Sequence, residues 1–102
     1  MIIKEGVQIA GLQKEMQIAL DYANEVYETF GHTLIITEAV ANHGHVKNSK
    51  HYTGNAIDTR IWNVGADVHR IFGRLLRGLK DLGFDIILES DHIHIEYDPK
   101  GS

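Results

Sequence analysis

Along residues 12–30 apolar side chains recur at the period of a helix. Leu12, Met16, Ala19, Leu20, Ala23, Val26, Tyr27 and Phe30 fall on one stripe. Gly11 precedes the run and Gly31 follows it, where a left-handed cap is expected. The pattern then changes. Residues 33–40 (TLIITEAV) are rich in β-formers and read as a strand. Residues 41–55 are polar, contain Gly44 and Gly54, and read as a long loop of the kind that usually carries function. Residues 56–62 predict a second strand. Asp67 is placed as the N-cap or first-turn acid of a second helix. The stripe of that helix is Val68, Ile71, Phe72, Leu75, Leu76, Leu79 and Leu82, stopped by Gly83. Residues 84–88 and 92–97 predict two more strands. Glu89-Ser90-Asp91 joins them tightly enough for an antiparallel hairpin, and Pro99 ends the last element. The expected fold is α+β: one small domain over residues 1–102, a mostly antiparallel sheet with two helices packed on one face, and a cleft on the other.

A chain of 102 residues fits one domain, and 43% hydrophobic residues are enough for one core. The formal charge of −4, with seven His counted neutral, argues against a general nucleic-acid binder. No window is long and apolar enough to span a bilayer, and no secretory leader pattern is visible. A monomer is expected. Cysteine is absent, which excludes thiolate ligation and thiol catalysis. Any metal must therefore sit on His and carboxylates.

Two stretches carry candidate chemistry. In Asp91-His92-Ile93-His94-Ile95-Glu96 the two imidazoles share one face of a strand. Ile93 and Ile95 point the other way, toward the helices. In Ser49-Lys50-His51-Tyr52-Thr53-Gly54-Asn55-Ala56-Ile57-Asp58, His51 lies at the end of the loop and Asp58 on the second strand, beside the small Ala56. Taken singly, each pattern is as well explained by surface histidines and a solvated strand acid. Together they supply two neutral imidazole nitrogens and a carboxylate. Such a set holds zinc and leaves a fourth position open, the layout of a catalytic site and not of a closed structural one.

The joint pattern Ser-x-His-x-x-Gly-x-Ala-x-Asp followed by His-x-His resembles the zinc D-Ala-D-Ala carboxypeptidases and related peptidoglycan endopeptidases. Their wider group includes lysostaphin-type enzymes and the signalling domain of hedgehog proteins. The resemblance spans residues 33–97. It implies zinc bound by His51, Asp58 and His94 in a cleft on the sheet face away from the helices. It also implies that an acid three residues before the last ligand, here Asp91, takes a proton from the attacking water. In hedgehog domains the equivalent acid lies further upstream, nearer Glu89. Thr37-Glu38, His51-Tyr52 and Glu89-Ser90 are also hedgehog-like. Asp91 and Glu89 have strand parity opposite to His92 and His94, so the chain must turn or bulge between 89 and 92 for either to reach the metal. Asp91, nearest that turn, is the preferred base. His92 is placed as a donor to the developing oxyanion.

The bacterial peptidases often carry an Arg shortly after the strand assigned to 33–40, where it holds a substrate carboxylate. Here Ala39-Val40-Ala41-Asn42 stands instead. His43, His45, Lys47, Lys50 and Arg60 are the candidates to replace it, and His45, Lys50 and Arg60 are taken as substrate contacts. The missing Arg favours an endopeptidase cutting inside the peptidoglycan stem peptide over a strict carboxypeptidase. Two other readings stay open: a hedgehog-like zinc-containing binding module, and a hydrolase of another small amide. Trp62 either caps the core at a strand end or, if exposed, lines a groove near Asp58. Tyr22 and Tyr27 read as helix packing residues. Arg70, Arg74, Arg77 and Lys80 read as a solvated helix face, with His32 and His69 on the surface.

Overall fold

A computed structural model of the protein describes residues 1–99; Lys100, Gly101 and Ser102, which the expected domain included, lie outside the described residues. The elements are β1 (Ile2–Ile3), α1 (Lys14–Thr29), β2 (Ile35–Glu38), β3 (Ala56–Arg60), α2 (Val68–Leu79), β4 (Phe84–Leu88) and β5 (His92–Tyr97). The strands form one sheet in the order β1-β2-β3-β5-β4. All neighbours run antiparallel except β1 and β2. The α+β expectation holds. β1 was not foreseen, because two residues carry no period to detect.

The core fills the space between the sheet and the two helices. Met16, Ala19, Leu20, Ala23 and Tyr27 of α1 and Ile71, Leu75 and Leu79 of α2 meet Ile36, Ile57, Phe84, Ile86, Ile93 and Ile95 of the sheet. Each fully buried large aliphatic side chain contributes about 1.5–3 kcal/mol. The alternation along β5 therefore fixes its register firmly: slipping by one residue would bury His92, His94 and Glu96 in place of Ile93 and Ile95. The helices approach closely at Gly78, where a Cβ would overlap the Tyr22 ring.

Both helix ends follow from local chemistry. Phe30 N–H is shared between the carbonyls of Val26 and Tyr27, and Gly31 then turns the chain at φ 78°. Gly83 does the same after α2 at φ 96°. Asp67 does not cap α2. It has helical backbone angles and no capping hydrogen bond, and its carboxylate lies 2.7 Å from His32 Nε2. A capping residue needs extended backbone angles, which the preceding 3₁₀ turn (Gly65–Asp67) denies it. Tyr27 reaches under β3, its hydroxyl 2.9 Å from both Thr59 Oγ1 and the Arg60 carbonyl. Burial raises its pKa despite the opposing Thr59 hydrogen bond. This contact pins the end of the strand that carries Asp58 and Arg60.

Candidate metal centre

The sheet face away from the helices carries the polar residues. Register places Glu38, Asp58, His94 and Ile87 in one row across β2, β3, β5 and β4, with Arg60 beside His92 in the next. Glu38 joins that row through a register shift. Ile36 pairs with Thr59, but Glu38 pairs with Asp58, so one extra residue is inserted between them. Ile36 is fully buried on the core face. Strict alternation would send Glu38 there too, and the bulge turns it onto the open face.

His51 arrives from the loop. Residues Lys50–Thr53 form a 3₁₀ turn, capped by Ser49 Oγ accepting from His51 N–H at 3.2 Å. Gly54 ends the turn at φ 74°, and a Cβ on it would overlap the Gly11 carbonyl oxygen. Both facts require glycine here. Tyr52 ties the loop down. Its hydroxyl donates to the His45 carbonyl at 2.7 Å and accepts from His45 N–H at 2.9 Å. His45 thereby stacks on His51, ring centroids 4.5 Å apart. Its Nε2 lies 3.2 Å from Glu38 Oε2. The stretch 41–55 is thus a tethered loop and not an open one.

His51, Asp58 and His94 converge, each offering a ligand atom within 4.8 Å of the others. Asp58 Oδ1 is 3.2 Å from His51 Nε2 and 2.8 Å from His94 Nδ1. Ligand bonds of about 2.0–2.1 Å in a tetrahedron give ligand-to-ligand edges of about 3.3 Å. The spacing and the two-nitrogen, one-oxygen donor set fit a metal ion. His51 and Asp58 are buried and His94 half-buried. The far nitrogen of each ring has an oxygen partner. His51 Nδ1–H donates to the Ala39 carbonyl at 2.6 Å, and His94 Nε2–H to Glu96 Oε1 at 2.8 Å. Such partners fix the tautomer and aim the other nitrogen at the position a metal ion would take.

The electrostatics agree with this wiring. Burial alone would lower the pKa of His51, but the hydrogen bond and charge of Asp58, aided by the Ala39 carbonyl, raise it above 6.5. For His94, too, burial is outweighed by Asp58 and Glu96, and the pKa rises. Burial would raise Asp58, but its two imidazole partners hold it far below the usual carboxylate range.

The group lines one hollow and a second adjoins it at Asp58; Asp58 and His92 line both. The larger, about 500 Å³, is bounded by the loop at His45, Asn48, Ser49 and Lys50 and by Glu89, Ile87, His94 and Glu96. The smaller, about 360 Å³, is bounded by Lys4, Thr37, Glu38, Arg60, Trp62 and Asp91. The two expected acids therefore lie in different places. Glu89 is in the hollow with His51, Asp58 and His94. Asp91 is in the other, its Oδ1 2.6 Å from His92 Nδ1 and its side chain 81% exposed. His92 Nε2 is 3.7 Å from Asp58 Oδ1. Of the expected substrate contacts, His45 and Lys50 line the larger hollow and Arg60 the smaller. Lys50 is already engaged, 3.7 Å from Asp98 Oδ1. Trp62 does not cap the core: it lies beyond β3, is 72% exposed and lines the smaller hollow.

Glu38, Tyr52 and Glu96 were not given roles by the sequence. Glu96 was legible in principle, being two residues from His94 and therefore on the same strand face. No protein-family model matches the chain, and no curated protein matches it.

Proposed function

We propose that this protein is a zinc-dependent peptidase that cuts amide bonds inside the peptidoglycan stem peptide. The observation that carries the reading is the convergence of His51 Nε2, Asp58 Oδ1 and His94 Nδ1 in the wall of the larger hollow, with Asp58 also lining the smaller. A nitrogen, nitrogen, carboxylate set with an open position suits zinc. Zinc held there would supply a water acidified to about neutral pKa and a Lewis acid for the scissile carbonyl.

The chain's own residues do the rest. Asp91 accepts a proton from the attacking water and returns it to the leaving amine. Its Oδ1 is engaged by His92, and its Oδ2 takes no hydrogen bond among the described residues. His92, whose Nδ1–H is held by Asp91 Oδ1, offers Nε2–H to the developing oxyanion when its ring is doubly protonated. Glu89 is the secondary acid. Open space on both sides of Asp58 and His92 supports a substrate that continues past the cut bond in both directions, as in endopeptidase action.

Defined muropeptides incubated with zinc-loaded protein test this by mass spectrometry. An internal cut that disappears on chelation is the expected result. Loss of only a terminal alanine would replace endopeptidase by carboxypeptidase. No cleavage of any stem peptide would sink the peptidase reading and favour a zinc-containing binding module.

A further inference from the structure

The smaller hollow has an unusual charge pattern. It is lined by three carboxylates and two side-chain cations. Each carboxylate has an imidazole: Glu38 has His45, Asp58 has His51 and His94, and Asp91 has His92. The cations, Lys4 and Arg60, make no ion pair among the described residues. Arg60 is held another way, with its guanidinium 4.6 Å over the Trp62 ring. A guanidinium held over an indole by cation–π attraction still has N–H donors to offer a carboxylate. A cation presented beside acids that are already satisfied is matched to an anion from outside.

We propose that Lys4, Arg60 and Trp62 form a subsite for a carboxylate of the substrate, about one residue's reach from the reacting bond. Arg60 grips the carboxylate, Lys4 adds a second positive charge across the hollow, and the exposed indole packs against the aliphatic part of the same residue. This deepens the peptidase reading and rests on it for the identity of the substrate. The carboxylate has two possible sources in a stem peptide: an internal residue or the free C-terminus. The subsite would thus take over the work of the Arg absent after β2.

Trp62 is the only tryptophan, so its fluorescence reports on this hollow alone. The zinc-loaded full chain is titrated with two probes that need no turnover, glutarate and N-acetyl-D-glutamate, and with their diamides. The acids are expected to change Trp62 emission saturably, and the diamides to bind at least tenfold more weakly. Arg60→Gln should weaken the acids about tenfold and erase the preference over the diamides. The exposed Lys4→Gln should weaken them severalfold, and it keeps the test sound if Arg60→Gln is poorly folded. Equal binding of acid and diamide, or an acid preference that survives in both variants, overturns the proposal.

Activity on stem peptides amidated at either the internal or the terminal carboxylate then identifies the source. The arm that raises KM in the parent protein, and has no further effect in Arg60→Gln, marks the carboxylate that is bound. Cleavage indifferent to both amidations and to Arg60→Gln would leave the peptidase standing and remove the subsite. Arg60-dependent binding of the acids with no cleavage of any stem peptide would do the reverse.

Discussion

A zinc ion at the proposed site would compete with protons for the same two rings, and that competition sets the sign of a measurable effect. His51 Nδ1 and Nε2 face the Ala39 carbonyl and Asp58; His94 Nδ1 and Nε2 face Asp58 and Glu96. All four contacts are to acceptors, with Asp58 serving both rings, so each ring is drawn toward its doubly protonated form, in line with the raised pKa values. An ion binding His51 Nε2 and His94 Nδ1 must displace one proton from each. Below both pKa values its affinity should rise about a hundredfold per pH unit, tenfold for each proton. At a hundredfold excess over the dissociation constant, a ligand of the folded state adds about 2.7 kcal/mol. At about 4–8 °C per kcal/mol for a domain of this size, that is a rise of about 10–20 °C in melting temperature.

In chelator the sign is opposite. A raised imidazole pKa contributes stability that is complete below the unfolded value of 6.5 and is lost as pH rises through the folded values. Asp58, with its lowered pKa, contributes stability above 3.8 that is lost only as pH falls through its folded value, outside this window. Thermal melts between about pH 5 and pH 8 should therefore show a zinc increment that grows with pH and then levels off. The chelated protein should lose stability over the upper part of that range. His94→Ala should abolish the increment. An increment independent of pH, or one that persists in His94→Ala, would refute the assignment of these protons and ligands.

Three further outcomes follow from the site. Asp91→Ala should keep its zinc by elemental analysis and lose about a hundredfold or more in turnover, with Glu89→Ala less affected; the reverse ranking would move the base to the larger hollow. Glu96→Gln should weaken zinc binding about 10–100-fold in competition with a chromophoric chelator, because His94 loses the carboxylate that fixes its tautomer. Gly54→Ala should cost roughly 1–3 kcal/mol from backbone strain alone, seen as a lower denaturation midpoint at unchanged slope, and an unchanged midpoint would contradict the overlap with the Gly11 carbonyl.

The helices and the four longer strands were legible because each buries a face long enough to show its period. The stripe read over 12–30 is the buried face of α1, and Ile93 and Ile95 lie in the core as alternation required. What escaped was short or non-local. β1 consists of two residues that become a strand only through parallel pairing with Ile35 and Ile36. Asp67 looked like a cap because acids are common at helix starts. Its carboxylate is instead drawn to His32, 35 positions earlier in the chain, which no local pattern encodes. Trp62 was ambiguous because an indole serves a core or a cleft equally well.

The convergence of His51, Asp58 and His94 was legible for a different reason than their partners were not. His51 and Asp58 are joined by a turn whose glycine is dictated by backbone angle and by contact with Gly11, so their relative placement is a local property of the sequence. His94 then meets Asp58 through direct pairing of β3 with β5. Glu38 reaches the site only because one residue is inserted between its pairing and that of Ile36, and a bulge leaves no reliable trace in a run of β-formers. Read by strict alternation, Ile36 in the core demands that Glu38 be there as well, a buried acid without a partner. That conflict is itself a signal: an acid two residues from a core isoleucine must either pair internally or be turned out. Here it is turned out, beside Asp58 and His45, where its carboxylate completes the set of acids hydrogen-bonded by imidazoles, while Arg60 and Lys4 line the smaller hollow without an ion pair among the described residues.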